Sequence, residues 1–137
     1  MTLNDDGSFL VSGNKHFDKY VLRTKVKQLS ALRLQVLPDP SLPVQGPGRA
    51  TDGNFVLSEF IVKAAKADKP METVVIPLME PQADFSQNGW DIKGAIDGNT
   101  GTGWGIAPQF GKPHEAIFLL NEPLAGDSEW IVTIELD

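Results

Sequence analysis

The residues with the clearest chemical potential lie in one short loop that ends at Trp104. Asp97, Asn99 and Thr102 supply side-chain oxygens, and the glycines between them leave the backbone free to turn its carbonyl groups inward. Hard oxygen donors on such a backbone suit Ca²⁺. The same residues also favour an Asx-stabilised turn that needs no metal. The loop therefore predicts a structural calcium site or a demanding turn, and not a catalytic centre.

Patterns typical of enzymes are weak in this chain. The two histidines, His16 and His114, are far apart in sequence, and neither belongs to a metal-ligand pattern. No serine sits in a nucleophile elbow or has evident His and Asp partners. Carboxylates are abundant, so a glycosidase pair stays open, but Asp84, Asp91 and Asp97 occupy loop settings that favour solvent or calcium. We therefore expect a protein that is not an enzyme.

Four residues have the properties expected of a sugar-binding rim, where an aromatic platform meets a few planar polar groups. Trp90 follows the turn residues Asn88 and Gly89 and is the candidate platform. Arg49 and Asn54 lie in a long loop rich in Pro and Gly, and His114 follows another turn. The predicted ligand-binding set is therefore Trp90, Arg49, Asn54 and His114.

Three of these four residues also have a structural alternative. Arg49 can pair with the neighbouring Asp52, and Asn54 can simply close its loop. His114 can be a hydrogen-bonded packing residue at the start of a buried strand. Trp104 and Trp130, in contrast to Trp90, are expected to lie in the core.

Composition restricts the class of protein and its partners. The chain has 137 residues, which suits one domain, and its net charge of −6 argues against nucleic acid as a partner. Arg23, Lys25 and Lys27 form the nearest approach to a basic row, and they predict either an exposed strand face or a site for an anionic ligand. Cysteine is absent, which excludes disulfides and thiolate metal sites. No apolar run reaches membrane-spanning length, so no membrane insertion is expected.

Short apolar runs separated by turn residues indicate an all-β protein. In several runs apolar and polar residues alternate, as in Leu32 to Val36 and Trp130 to Leu136, which predicts antiparallel sheets with one face on the core. Two sheets packed face to face, an antiparallel β-sandwich, is the predicted fold class. The predicted strands are Phe9–Ser12, Tyr20–Val26, Ala31–Leu37, Phe55–Val62, Thr73–Leu78, Glu115–Leu120 and Trp130–Leu136.

The connecting segments complete the predicted organisation. The connector from Pro38 to Asn54 is long for a compact domain, and such loops are usually functional or partly mobile. Residues Ser58 to Asp68 fit a strand running into a loop better than a helix. We expect a single module over residues 1–137, with 1–8 as a flexible start or an added remnant. The start resembles no signal peptide, and we expect a module excised from a longer protein.

The residues Ala95-Ile-Asp-Gly-Asn99 followed by Thr102 and Trp104 resemble the motif of the discoidin or coagulation-factor type C family. That family shares a galactose-binding-like, jelly-roll β-sandwich with many carbohydrate-binding modules. The similarity is closer to a module of large planctomycete multidomain proteins that also carry cytochrome c domains. It covers most of the chain from about Tyr20 onward. The similar segments are Leu32–Asp39, Gly46–Arg49, Gly53–Leu57, Ala83–Gln87, Ala95–Asn99 and Thr102–Trp104.

The resemblance implies a calcium ion bound by Asp97, Asn99 and Thr102, with a carboxylate from the last strand, here Glu135, completing the site. It also implies a place outside the cytoplasm, extracellular or periplasmic, within a larger multidomain protein. In discoidin-type domains the motif lies early, whereas here it lies late. The strand order is therefore permuted, or the relationship is more distant.

Two functions follow as hypotheses. The first is a non-catalytic carbohydrate-binding module that recognises an extracellular polysaccharide through loops at one end of a calcium-stabilised sandwich. The alternative is a structural or protein-interaction domain of a larger secreted protein with no glycan ligand. An exposed aromatic platform with convergent polar groups favours the first, and an apolar patch or an unpaired edge strand favours the second.

Overall fold

A computed structural model describes residues 1–13 and 18–137 of the chain. His16 lies outside the described residues. Apart from two short 3₁₀ helices, Pro43–Gln45 and Ile92–Ile96, the regular structure there is all β. In chain order the strands are β1 Thr2–Leu3, β2 Phe9–Leu10, β3 Tyr20–Val26, β4 Leu29–Val36, β5 Val56–Leu57, β6 Phe60–Lys66, β7 Val74–Ile76, β8 Leu78–Ala83, β9 Trp104–Gly105, β10 His114–Leu124 and β11 Trp130–Leu136.

Two antiparallel sheets form the body of the protein. One has the strand order β4-β10-β8 and the other has the order β3-β11-β6-β7. Two small pairs, β1 with β2 and β5 with β9, accompany them. The predicted antiparallel β-sandwich is thereby confirmed. None of the described helices is long and apolar enough to span a membrane.

The core lies between the two sheets and follows the alternation of the strands. Val62 and Val132 of the four-stranded sheet and Phe118 of the three-stranded sheet are fully buried. Phe60 stacks on Phe118 across the sandwich, with ring centroids 4.2 Å apart and planes 5° from parallel. Each of these residues belongs to an inward-facing set with period two, which is why the alternation of the sequence predicts the burial.

One side of the sandwich is closed by the chain itself. Pro77 alone joins β7, the edge of the four-stranded sheet, to β8, the edge of the three-stranded sheet. The carbonyl oxygen of Pro77 accepts a hydrogen bond from the backbone N–H of Asn121 in β10, at 2.9 Å. The two sheets are therefore held together directly along this side.

The opposite side is open. β3 and β4 are consecutive strands joined by Lys27 and Gln28, and they form the remaining edges of the two sheets. Beyond the connection the two edges border a cleft of about 1050 Å³, which the β1–β2 hairpin and the loop after β4 also line. Leu22 of β3 and Leu34 of β4 face this cleft and are only partly buried.

Most predicted strands are present, and two have exactly the predicted bounds, β3 and β11. The prediction missed β8, because Pro81 indicated a connector. In the structure β8 is an edge strand, and its pairing with β10 shifts register near Pro81, where Glu80 has φ 47°. Proline is tolerated at such edge and bulge positions, since no partner requires its missing N–H. The segment 60–66 is a strand, as predicted.

Residues outside the main sheets are also ordered by their own contacts. Thr2–Leu3, within the predicted flexible start, pairs with Phe9–Leu10. The long loop after β4 turns back on itself through backbone hydrogen bonds from Gly48 to Gly53 and from Gly53 to Ala50. A Cβ at Gly48 would overlap the carbonyl of Asn54, so only glycine permits this approach.

Candidate functional site

The Asp97 loop brings together three of the predicted metal ligands. The Asp97 carboxylate accepts hydrogen bonds from the backbone N–H of Asn99 at 2.8 Å and from the Thr102 hydroxyl at 2.8 Å. The side-chain oxygen of Asn99 accepts from the N–H of Gly101 at 3.0 Å. These bonds form successive Asx turns, which are the metal-free alternative expected from the sequence. They also hold the oxygens of Asp97, Asn99 and Thr102 within a few ångströms of one another.

The loop is pinned to the core at its end. Trp104 is fully buried, as predicted, and its indole N–H donates to the carbonyl oxygen of Phe85 at 2.8 Å. Gly103 has φ 153°, and a Cβ there would lie 2.6 Å from the carbonyl oxygen of Leu57. The loop therefore packs directly on the strand β5, which leads to Glu59 two residues later.

Glu59 is a candidate site residue that the sequence analysis did not single out. Its side chain is buried at 6% relative exposure, and its Oε1 has no hydrogen-bond partner among the described residues. Burial and then the negative charge of Asp97 raise the pKa of Glu59, and the backbone N–H groups of Gly98 and Asn99 partly offset that rise. Glu59 therefore faces the Asp97 loop. The available signal was a carboxylate inside the apolar run from Phe55 to Val62.

The oxygen atoms of this arrangement are ligands of the kind that Ca²⁺ prefers. Two neighbouring carboxylates, Glu59 and Asp97, repel each other, and a buried carboxylate oxygen without a partner is costly. A divalent cation between them would relieve both penalties. No cluster of three or more His, Asp or Glu side chains suited to a metal occurs in the described part of the chain. The remaining ligands would therefore be neutral oxygens, as Ca²⁺ commonly accepts.

Glu135, the carboxylate predicted to complete the metal site, has other partners. It lies on the outer face of the four-stranded sheet, where its two oxygens contact Lys63 Nζ at 2.5 Å and Lys19 Nζ at 2.9 Å. Hydrogen bonds from Lys63 and then Lys19 lower the pKa of Glu135. Because two ammonium groups already neutralise this carboxylate, its contacts do not support a role as a calcium ligand.

Arg49 belongs to a partly buried hydrogen-bond network. Its guanidinium donates to Asp18 Oδ2 at 2.8 Å and to the hydroxyl of Tyr20 at 2.8 Å. Asp52, the expected partner, instead accepts from the backbone N–H of Asn54 at 3.0 Å. Arg49 therefore braces the wall of the cleft by linking the long loop to the start of β3.

Asn54 closes its loop. Its side-chain N–H donates to Gln87 Oε1 at 2.9 Å, and its side-chain oxygen accepts from the backbone N–H of Ile106 at 3.2 Å. Gln87 Oε1 accepts in addition from the N–H of Ala107 at 3.1 Å. Both polar atoms of the Asn54 amide are thus engaged in joining three loops.

His114 is a buried, hydrogen-bonded residue. Its side chain is 1% exposed, with Nδ1 2.9 Å from Asp84 Oδ2 and Nε2 2.8 Å from the carbonyl oxygen of Gln109. Both neighbours are hydrogen-bond acceptors, so a singly protonated ring can donate to only one of them. This arrangement matches the packing alternative and leaves His114 remote from solvent.

Trp90 retains partial exposure. Its backbone N–H donates to the carbonyl oxygen of Gln87 at 2.9 Å, and its own carbonyl accepts from Gly105 at 3.2 Å. The turn is therefore fixed and the ring is half-buried. The four predicted ligand residues do not converge on one exposed surface: Arg49 and Asn54 line the cleft, while Trp90 and His114 do not.

Comparison of the chain with protein-family models, with curated proteins and with solved structures finds no match.

The ion pairs of Glu135 with Lys19 and Lys63 can be tested separately from a role of Glu135 as a metal ligand. We expect Glu135→Gln to lower the free energy of unfolding at pH 7 by about 0.5–1 kcal/mol. Because the pKa of Glu135 is lowered in the folded state, its contribution is present above the unfolded value and is lost as the pH falls through the folded value. The difference between the two proteins should therefore decline as the pH falls below the unfolded value of about 4.3, and vanish once Glu135 is protonated in the folded state as well.

Urea titrations at a series of pH values measure this difference. The matched control is Glu129→Gln, because Glu129 lies 3.9 Å from Lys25 and both side chains are well exposed. It should change stability by less than about 0.5 kcal/mol. A Glu135→Gln effect that persists unchanged in acid would contradict the assignment.

Proposed function

We propose that this chain is a non-catalytic binding module that docks a segment of another protein or domain along the open side of its sandwich. The observation that supports this function is the pair of unpaired edges, β3 and β4, beside a cleft of about 1050 Å³. An edge strand presents free backbone groups, and the apolar residues that line part of the neighbouring cleft, such as Leu22 and Leu34, offer surface to bury. Both features are those of a protein-interaction domain.

The hydrogen bonds made by the predicted ligand residues favour a protein-interaction module over a sugar-binding site. Recognition of a sugar hydroxyl needs polar groups that are free to turn to the ligand. Arg49 and Asn54 form hydrogen bonds with other residues of the protein, and His114 is buried. Hydrogen bonds within the protein therefore engage all three residues, although Arg49 pairs with Asp18 and not with the expected Asp52. The same hydrogen bonds argue against an acid or base poised for catalysis.

We also propose a relationship to the discoidin or coagulation-factor type C family, with a jelly-roll arrangement and permuted strand order. The Asp97 loop that closes on buried Trp104 supports it, and so does the sandwich. The carboxylate partner of the loop is then Glu59, at the start of β6, in place of Glu135. In this proposal the module belongs to a larger multidomain protein.

A structural calcium ion is the cofactor of this proposal. Glu59 and Asp97 would supply carboxylate oxygens, and Asn99 and Thr102 would supply neutral ones. The ion would tie the start of β6 to the loop before β9, and thereby brace the sandwich near its centre. Sites with so few carboxylates bind calcium at about 10⁻⁴–10⁻³ M in extracellular modules. We also propose a place outside the cytoplasm, extracellular or periplasmic, where calcium concentrations are high enough to occupy so weak a site.

Calcium should therefore stabilise the protein through Glu59. At a calcium concentration about 100 times the Kd, the free energy of unfolding should rise by about 2.7 kcal/mol relative to chelator. Glu59→Gln should remove this gain, while Glu135→Gln should keep it. In chelator, Glu59→Gln should be at least as stable as the parent, because it removes a buried charge near Asp97.

Urea unfolding with calcium or with EDTA measures all three proteins under matched ionic strength. Asp97→Asn is a second ligand variant, which guards against a folding defect specific to Glu59→Gln. A parent protein indifferent to calcium, or a gain that survives in both ligand variants, would overturn the calcium proposal.

A polysaccharide is the second candidate ligand. The partly exposed side chain of Trp90, on the fixed turn after Asn88 and Gly89, favours it, since such rings form platforms for the apolar faces of sugars. In that case the calcium-stabilised sandwich would be a carbohydrate-binding module. The open side of the sandwich would then play no part in recognition.

A paired screen decides between the two ligands. The immobilised protein is offered a phage library of random linear peptides and, separately, an array of glycans, both in calcium. We expect peptides to be enriched that compete with one another for one site, with affinities unaffected by Trp90→Ala. We expect no glycan to be retained.

Retention of glycans that Trp90→Ala abolishes, together with no peptide enrichment, would establish the carbohydrate function and overturn the interaction module. An absence of binding in both screens would also count against the interaction module. Phe110→Ala is the matched control, because Phe110 is another partly buried aromatic residue.

A further inference from the structure

Strand β3 concentrates positive charge in an acidic protein. The chain carries a net charge of −6, yet Lys19, Arg23, Lys25 and Lys27 lie on or beside this one strand. Arg23 and Lys27 make no ion pair with any residue that the structure describes, and Lys25 lies 3.9 Å from Glu129 with both side chains exposed. Much of this charge is thus available to a partner.

The backbone of β3 is available as well. β11 pairs with one side of β3 along its whole length, from Tyr20 opposite Leu136 to Val26 opposite Trp130. On the other side β3 is the edge of the sheet, so alternate residues present their N–H and C=O groups outward. Such a row is a template for another strand.

The two faces of β3 differ in a way that specifies what an added strand must carry. Arg23 lies opposite Thr133 and Lys25 opposite Ile131 on the outer face of the sheet. Leu22 lies opposite Ile134 and faces the cleft, across from Leu34 of β4. Successive residues of an added strand would therefore meet cations on one face and apolar side chains on the other.

The other edges of the two sheets are less suited to this role. β7 has only three residues, and β8 carries Pro81, which cannot donate. β4 is long, but Arg33 is its one charged residue. Among the strands of the described residues, β3 is the one that combines seven residues, an edge without a described partner strand and a row of cations.

We propose that β3 binds an extended acidic segment of a partner protein as an added strand. Acidic residues at alternate positions of that segment face Arg23 and Lys25, and the intervening apolar residues enter the cleft beside Leu22. This inference rests on the proposed function and specifies its partner. Lysine on an edge strand also guards against unwanted pairing between copies of a protein. The experiment below separates that role from recognition.

The probe is a capped, fluorescein-labelled peptide of about nine alternating Glu and Val residues, which is long enough to match β3. Its controls are an alternating Lys and Val peptide, and a peptide of the same Glu and Val content in two blocks. Fluorescence anisotropy gives the Kd, and ¹⁵N–¹H NMR spectra locate the contact. We expect only the alternating acidic peptide to bind, with shifts in β3 amides and an affinity that falls with salt.

Charge reversal tests the cations. Arg23→Glu with Lys25→Glu should raise the Kd at least about tenfold, because attraction becomes repulsion. Lys93→Glu with Lys112→Glu changes the net charge equally at exposed sites away from β3, and should change the Kd less than about twofold. Arg23→Gln with Lys25→Gln should lie between them and serves if the reversed variant fails to fold.

N-methylation of the peptide tests strand pairing itself. Methyl groups on one alternate set of amides should abolish binding, and those on the other set should leave it nearly intact, because only one set points at β3. Equal effects of both sets would overturn strand addition. So would an absence of binding combined with self-association of the reversed variant, which would assign the lysines a guarding role only.

A failure of strand addition at β3 can be distinguished from a failure of the proposed interaction module. If peptides enriched from the random library bind but do not compete with the acidic probe, the interaction module stands and the assignment of β3 fails. If no peptide binds at all, both fail together.

Discussion

The two sheets enclose one core, but they are joined along one side of the sandwich and separated by a cleft along the other. On one side Pro77 passes the chain directly from β7 to β8, and its carbonyl is tied to β10 through Asn121. On the other side β3 and β4 separate beyond a two-residue connection and leave a cleft. No described strand pairs with the outer edge of β3 or of β4 there. This side of the sandwich therefore presents unpaired backbone groups and apolar side chains to a partner.

A second set of contacts ties the middle of the chain to its core. Trp104 anchors the Asp97 loop, and that loop in turn faces Glu59, a buried carboxylate with an oxygen that lacks a partner. A buried charge of this kind is unfavourable for folding alone. Its position beside a second carboxylate is the physical reason for proposing a cation.

The sequence predicted what depends on local pattern. Alternation located β3 and β11 exactly, and the turn chemistry of Asp97 and Asn99 is present as expected. It could not predict partners that are distant along the chain. Glu135 was selected as a ligand because it lies in the last strand, but pairing of β11 with β6 places it beside Lys63. The hydrogen bond between Asn54 and Gln87 could not be predicted either, because the tertiary fold determines which loops pack together.

The openness of β3 is the claim on which the proposed interaction depends, and amide hydrogen exchange measured by NMR tests it directly. In the free protein, alternate amides of β3 that point to β11 should exchange slowly, and the intervening amides should exchange at rates close to those of exposed loops. All amides of β11, which lies between two strands, should be protected. Uniform protection along β3 would show that its outer edge is already covered, and would contradict the account.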